Sequence, residues 1–115
     1  MKILHPSYRR VDERGILEEI SLNTWKQVNI LHIKKDEVFG GHYHLHKTEL
    51  FYVVSGRITF DVRGADDIFT TVFGAGEMIR IDPLDQHTIK AEEDSVLVEL
   101  LSCPYDSTDV FKYGD

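Results

Sequence analysis

The chain has 115 residues, of which 42% are hydrophobic and 10% aromatic, a size and content that support one globular core without disulfide or metal staples. A formal charge of −7, with no Lys/Arg-rich stripe, excludes the electrostatic footprint of a nucleic-acid or anionic-membrane binder. Cys103 is the only cysteine, which rules out an intramolecular disulfide and cysteine-based zinc or redox motifs. Because no apolar run approaches membrane-spanning length, the reading is a soluble, cytoplasmic protein.

Short segments rich in Val, Ile, Phe, Tyr and Thr recur between Gly, Asp and Pro punctuation, the pattern of an all-β sandwich or barrel. In chain order, strands are predicted over 15–20, 26–34, 42–46, 50–55, 57–63, 68–73, 77–81, 88–91 and 95–101, and no window supports a long helix. Alternation is clearest at Ile58, Phe60 and Val62, with Thr59 and Asp61 on the other face, so that strand is expected to be half buried. The preceding run Leu50-Phe51-Tyr52-Val53-Val54 is apolar on both faces and belongs in the middle of a two-layer structure. Ser55-Gly56-Arg57 reads as a tight hairpin between these two strands, 63–67 as a longer loop to the next, and Gly74-Ala75-Gly76 as another sharp turn, together a meander. Asp82-Pro83-Leu84-Asp85 breaks the chain just before His87. The segment 103–115 is polar with scattered aromatics, Tyr105, Phe111 and Tyr113; packing back on the barrel, packing on a second subunit and partial order are all open for it.

Three of the six histidines fall within five residues, His42-Tyr43-His44-Leu45-His46. Alternate strand positions share a face, so His42 and His44 can converge on one point while Tyr43 points away. The gap of four residues from His44 to Glu49 lets the chain turn and return a carboxylate to the same opening. His87, opening the strand after Pro83, is the natural fourth donor. Three imidazoles and a carboxylate suit a divalent transition metal, one of Zn, Fe, Mn or Ni, with positions left open for water or substrate.

These spacings resemble the cupin family. Its first motif, roughly G(X)5-H-X-H-(X)3-4-E-(X)6-G, is met by His42, His44, Glu49 and Gly56, with the leading glycine displaced to Gly40 and Gly41. Its second, roughly G(X)5-P-X-G-(X)2-H-(X)3-N, aligns on Gly76 and His87, while Asp82, Leu84 and Ala91 replace the proline, second glycine and asparagine. The resemblance implies a double-stranded β-helix, or jelly-roll barrel, over about 25–102 of a single domain, with an N-terminal arm (1–24), a C-terminal tail (103–115), and metal in one mouth. It also implies a homodimer. Trp25-Lys26-Gln27-Val28-Asn29-Ile30 leading to Gly40-Gly41-His42-Tyr43-His44, with Asp12-Glu13-Arg14-Gly15 upstream, is similar to metal-binding cupin domains of capsular-polysaccharide and nucleotide-sugar biosynthesis. The His-Tyr-His run is similar to cupin-type phosphoglucose isomerases.

Singly, His42 and His44 would read as exposed strand histidines and Glu49 as a solvated turn residue; the joint register favours the metal. His46 shares parity with the ligands but misses the family's spacing, which makes it a rim histidine or a proton shuttle beside the metal. Tyr52, Arg80 and Glu99 read more readily as outer-face residues than as cavity lining, and Trp25 as packing. A Lewis-acidic metal beside a base suits proton transfer next to a carbonyl. The expected function is thus a metal-dependent isomerase or epimerase of a sugar or nucleotide sugar. The alternatives are an Fe(II) dioxygenase and a non-catalytic sugar-binding module.

Overall fold

The computed structural model describes residues 1–64 and 67–112. Its strands are β1 (Lys2–Leu4), β2 (Tyr8–Asp12), β3 (Gly15–Glu19), β4 (Gln27–Ile33), β5 (Val38–Tyr43), β6 (Glu49–Ser55), β7 (Arg57–Arg63), β8 (Ile68–Gly74), β9 (Met78–Ile81), β10 (Gln86–Ala91), β11 (Ser95–Leu101) and β12 (Phe111–Lys112). Among the described residues the one helical element is a single 3-10 turn, Ser107–Asp109. Two five-stranded antiparallel sheets, ordered β1-β9-β6-β11-β4 and β12-β5-β10-β7-β8, form the body, and β2–β3 is a separate hairpin. This is the all-β, two-layer body that the strand pattern predicts and the jelly roll that the resemblance implies.

The alternation in β7 is realised: Ile58, Phe60 and Val62 are buried between the sheets with Phe51, Val53, Phe73, Ile79, Ile89 and Leu97. Phe60 sits edge-on to Phe73, their centroids 5.2 Å apart, a favourable aromatic geometry. Strand β6 holds the middle of its sheet. Phe51 and Val53 face the core, and on the other side Leu50 lies buried in a second cluster where Trp25, Leu4, Ile20 and Tyr52 pack. Trp25 is a packing residue, its indole N–H donating to the Ser21 hydroxyl at 2.8 Å.

The expected hairpin at Ser55-Gly56-Arg57 is instead a corner. Strand β6 pairs with β9 and β11, and β7 pairs with β10 and β8, so the chain crosses from one sheet to the other at Gly56. Gly56 has φ +92°, and a Cβ there would meet the Asp94 carbonyl oxygen at 2.6 Å and Ser95 Cα at 2.7 Å. A tight turn and a sheet-to-sheet corner place the same demand on a glycine, and local sequence does not separate them. Gly74-Ala75-Gly76 likewise carries the chain from β8 in one sheet to β9 in the other, and of the expected meander only β7–β8 is a hairpin.

Two family glycine positions are filled by other residues that keep glycine's backbone. Asp36, six residues before His42, has φ 72°, and Leu84, at the second motif's glycine, has φ 73°. The left-handed conformation costs a residue with a Cβ roughly 1–2 kcal/mol. Departure from the motif therefore alters the strain in these turns and leaves their shape.

Candidate functional site

Strand β5 ends at Tyr43, three residues earlier than the strand predicted through His46 would require, so His44 lies just beyond the paired segment. His42 is the cross-strand partner of His87, on neighbouring β5 and β10. The register slips between His87 and Thr88, which pair with His42 and Gly40, so Gly41 is the extra residue of a bulge. Gly40 and Gly41 both have positive φ, and a Cβ on Gly40 would lie 2.6 Å from the His87 carbonyl oxygen. Bulges bend a strand and re-aim its side chains, and here the bend sits beside His42. Tyr43 points away, as expected, and stacks on Phe111 of β12 at 5.5 Å.

His42, His44, Glu49 and His87 each offer one donor atom, and the four atoms lie within 4.8 Å of one another. A cation bonded at about 2.1 Å spaces its ligands roughly 3–4 Å apart, so small side-chain rotations close this set around a common centre. His44, Glu49 and His87 are buried. His44 Nε2 approaches Glu49 Oε1 to 2.7 Å, but not along a hydrogen-bonding direction, and both atoms are buried without a hydrogen-bond partner among the described residues. Buried polar atoms left unpaired are costly; a shared cation satisfies both.

The other ring nitrogens support the same fit. His44 Nδ1 lies 2.6 Å from the Asp109 carbonyl oxygen, and His87 Nδ1 lies 3.2 Å from that of Asp85. A carbonyl only accepts, so Nδ1 carries a hydrogen in both rings and Nε2 is the nitrogen left to face Glu49 and a metal ion. His42 also hydrogen-bonds to the backbone of Gly40. Burial, then the neighbouring His87 and His44, hold His42 down to about 4, so it is neutral at neutral pH. Burial also lowers His87. In His44 burial works in the same direction, but the Glu49 carboxylate and the Asp109 carbonyl outweigh it and the net shift is upward.

A cavity of about 580 Å³ opens beside these donors, lined by Gln27, Asn29, Lys47, Glu99 and Tyr105 as well as His42, His44 and Glu49. A smaller one of about 160 Å³, floored by Phe39, Phe51 and Ile89, lies on the side of His87. Three side chains line both: His42, Glu49 and Glu99. Glu99 is therefore an inward residue, against the outer-face reading. Asn29 Nδ2 donates to Glu99 Oε1 at 3.0 Å, and burial together with Glu49 pushes the Glu99 carboxyl up to about 8. Glu49 is shifted the other way, to about 2, because His44 and Glu99 stabilise its charge against its burial.

Tyr52 and Arg80 face elsewhere, Tyr52 donating to Glu18 at 2.5 Å and Arg80 to Asp82 at 2.8 Å. His46 is exposed and lines neither cavity. The tail packs back on the barrel: β12 pairs with β5, and the Asp109 carboxylate accepts from the backbone N–H of Leu45 at 2.7 Å and of His46 at 3.2 Å. Tyr113 lies outside the described residues. Sequence reasoning missed Asn29, Lys47, Tyr105 and Asp109. The one local signal was Gln27-Val28-Asn29-Ile30, whose alternation places polar residues on one face; which face is inward follows only from the pairing of β4 with β11.

Two facing antiparallel sheets with a three-histidine, one-glutamate cluster at one mouth define a small β-barrel whose donor set could hold a metal ion. The Cupin domain family matches residues 29–103, and the chain belongs to that family. No curated protein matches the chain. Among solved structures it is similar to QdtA, a sugar 3,4-ketoisomerase from Thermoanaerobacterium thermosaccharolyticum in complex with TDP, with 20% identity and TM-score 0.85 over 97% of this chain and 87% of that one. It is similar to dTDP-4-dehydrorhamnose 3,5-epimerase from Sulfolobus tokodaii, with 23% identity and TM-score 0.73 over 94% of this chain and 73% of that one. Similarity extends to the capsular polysaccharide assembling protein CapF from Staphylococcus aureus, with 25% identity and TM-score 0.70 over 94% of this chain and 34% of that one.

Proposed function

We propose that this cupin is a metal-dependent isomerase or epimerase of a sugar or nucleotide sugar, with His42, His44, Glu49 and His87 holding one divalent ion of Zn, Fe, Mn or Ni. The observation that carries the reading is the approach of His44 Nε2 to Glu49 Oε1 at 2.7 Å without a hydrogen bond, inside a four-donor cluster that opens on a cavity of about 580 Å³. The fold shared with a ketoisomerase and an epimerase of nucleotide sugars supports the choice of reaction class.

When bound, the metal supplies a Lewis acid that polarises a sugar carbonyl. The chain's own part is to hold that carbonyl at the mouth and move a proton on the adjacent carbon. Of the three side chains lining both cavities, Glu99 is the one outside the donor set, and Asn29 orients it. Glu99 is thus placed to exchange a proton with substrate, the role weighed from sequence for His46, which stands exposed away from the cavities. The buried Phe51 and Ile89 make the inner wall of the smaller cavity apolar.

The protein is also proposed to act as a homodimer. On the outer face of β4, an edge strand, Val28 and Ile30 are 58% and 56% exposed, and the β2–β3 hairpin exposes Val11 and Ile16. Exposed apolar side chains grouped on an edge strand and on a hairpin are the kind of surface a partner covers.

Incubating metal-loaded protein with a TDP-4-keto-6-deoxyhexose in D2O tests the reading. Deuterium entering the carbon next to the carbonyl, with a new ketosugar or epimer by NMR, is the expected result. A panel of keto- and aldo-sugar nucleotides that gains neither deuterium nor isomer refutes it.

A further inference from the structure

The segment between His44 and Glu49 contains a cation that the metal cluster does not use. Lys47 is only 6% exposed and lines the larger cavity. Among the described residues no carboxylate lies within 4 Å of its Nζ and no hydrogen bond satisfies it; its one contact is the face of Tyr105, 5.7 Å from the ring centroid. The Lys47 stem is packed while its ammonium reaches the water of the cavity, and the cation–π contact contributes about 0.5–2 kcal/mol. The two carboxyl groups within its electrostatic reach have hydrogen-bond partners of their own, Glu99 accepting from Asn29 Nδ2 and Asp106 from Thr108, and Gln27 Nε2 donates to Asn29 Oδ1 at 3.1 Å. Gln27 Oε1 in turn accepts from the Tyr105 N–H at 2.8 Å. The charge at Lys47 is felt at both His44 and Glu99, so it stands within electrostatic reach of the metal cluster.

We propose that Lys47 is the oxyanion-binding residue of this cavity: its ammonium pairs with a phosphate or carboxylate group of the ligand, and the cavity therefore takes an acid in preference to a neutral sugar. A cation at the end of a packed stem, with a ring face beside it and no ion pair or hydrogen bond of its own among the described residues, is completed by an oxyanion, which supplies both charge and hydrogen-bond acceptors. The inference rests on the cavity's being the substrate site, as in the function proposed above. It goes further by fixing the charge of the substrate and the residue that selects it. The acid can bring its charge as the diphosphate of a nucleotide sugar or as the carboxylate of a sugar acid.

Calorimetric titration of the metal-loaded protein with TDP, glucuronate and glucose separates these sources. The wild type is expected to bind TDP or glucuronate at least tenfold more tightly than glucose, and the acid it prefers identifies phosphate or carboxylate as the source. Lys47→Met, an apolar replacement of similar length, loses at least tenfold in affinity for that acid, while its metal content and its affinity for glucose stay at wild-type values. Lys47→Arg restores most of the loss and shows that charge, rather than the fold of the loop, is at stake. The proposal is overturned if Lys47→Met binds the acid as the wild type does, if glucose binds as tightly as both acids, or if neither acid binds. Its failure is distinguishable from that of the functional reading. A protein that holds an acid through Lys47 but isomerises nothing refutes the function alone, and one that isomerises sugars with Lys47→Met unimpaired refutes this inference alone.

Discussion

The two segments that carry the candidate ligands reach the same centre by opposite means. Residues 42–49 bring three of the four donors, yet His44 to Thr48 lie between strands and are held from outside, at His44 to His46 by Asp109 of the tail and at the loop's two ends by Leu84 and Ser102. His87 is a single donor, but it sits in a strand paired on both sides, with β5 and β7, beneath the close backbone approach of Gly40. The first segment has its chemistry written in side-chain identity and its geometry supplied from 60 residues away; the second has ordinary side chains around one histidine and a tightly specified backbone. A donor on a doubly paired strand is fixed by the fold, whereas one on a loop needs a partner at its far nitrogen.

The largest expected effect comes from forcing the two segments apart. Gly40→Ala places a methyl against the His87 carbonyl at a positive φ, and it should cost about 3 kcal/mol, combining left-handed strain with overpacking. Urea denaturation should register this as a lower midpoint at unchanged slope.

Next in size is the effect of chelation. At a hundredfold excess over Kd a ligand contributes about 2.7 kcal/mol, on the order of 10 °C in Tm for a domain of this size. The asymmetry between the segments is the sharper readout. With chelator, amide protection should fall across residues 44–48 while β10 stays protected; equal loss in both would contradict the contrast.

Asp109→Ala removes the carboxylate that holds the Leu45 and His46 amides and loosens the carbonyl that orients His44. Metal affinity should fall on the order of 10–100-fold, with far-UV circular dichroism unchanged. An unaltered affinity would mean that the loop holds itself.

The smallest effect should be a gain. Leu84 is 61% exposed at φ 73°, so Leu84→Gly relieves strain at little loss of burial and should stabilise the fold by about 1 kcal/mol, seen as a higher urea midpoint. Its backbone N–H still donates to the His44 carbonyl at 2.7 Å.

What was legible in the sequence follows the same division. The alternation of Ile58, Phe60 and Val62 and the two-faced β6 are local patterns, and they located the core. His42, His44, Glu49 and His87 were legible because their types and spacings are rare together, and the structure brings all four to one mouth. Gly56 was misread as a hairpin because its demand for positive φ is shared by turns and corners, and the choice depends on which distant strands pair. Glu99 was placed outside for a similar reason: strand parity is visible in sequence, but which parity faces inward is set by register with Asn29 on β4. The roles of Lys47 and Asp109 were illegible, since each depends on the folded-back tail, Tyr105 against Lys47 and Asp109 against the His44 loop.

The metal content of protein purified without chelator and then reconstituted, wild type beside Glu49→Ala, tests the central claim most directly. One bound divalent ion per chain in the wild type and less than a tenth of that in Glu49→Ala is the expected result. Equal occupancy in the two proteins, or none in the reconstituted wild type, would contradict the account.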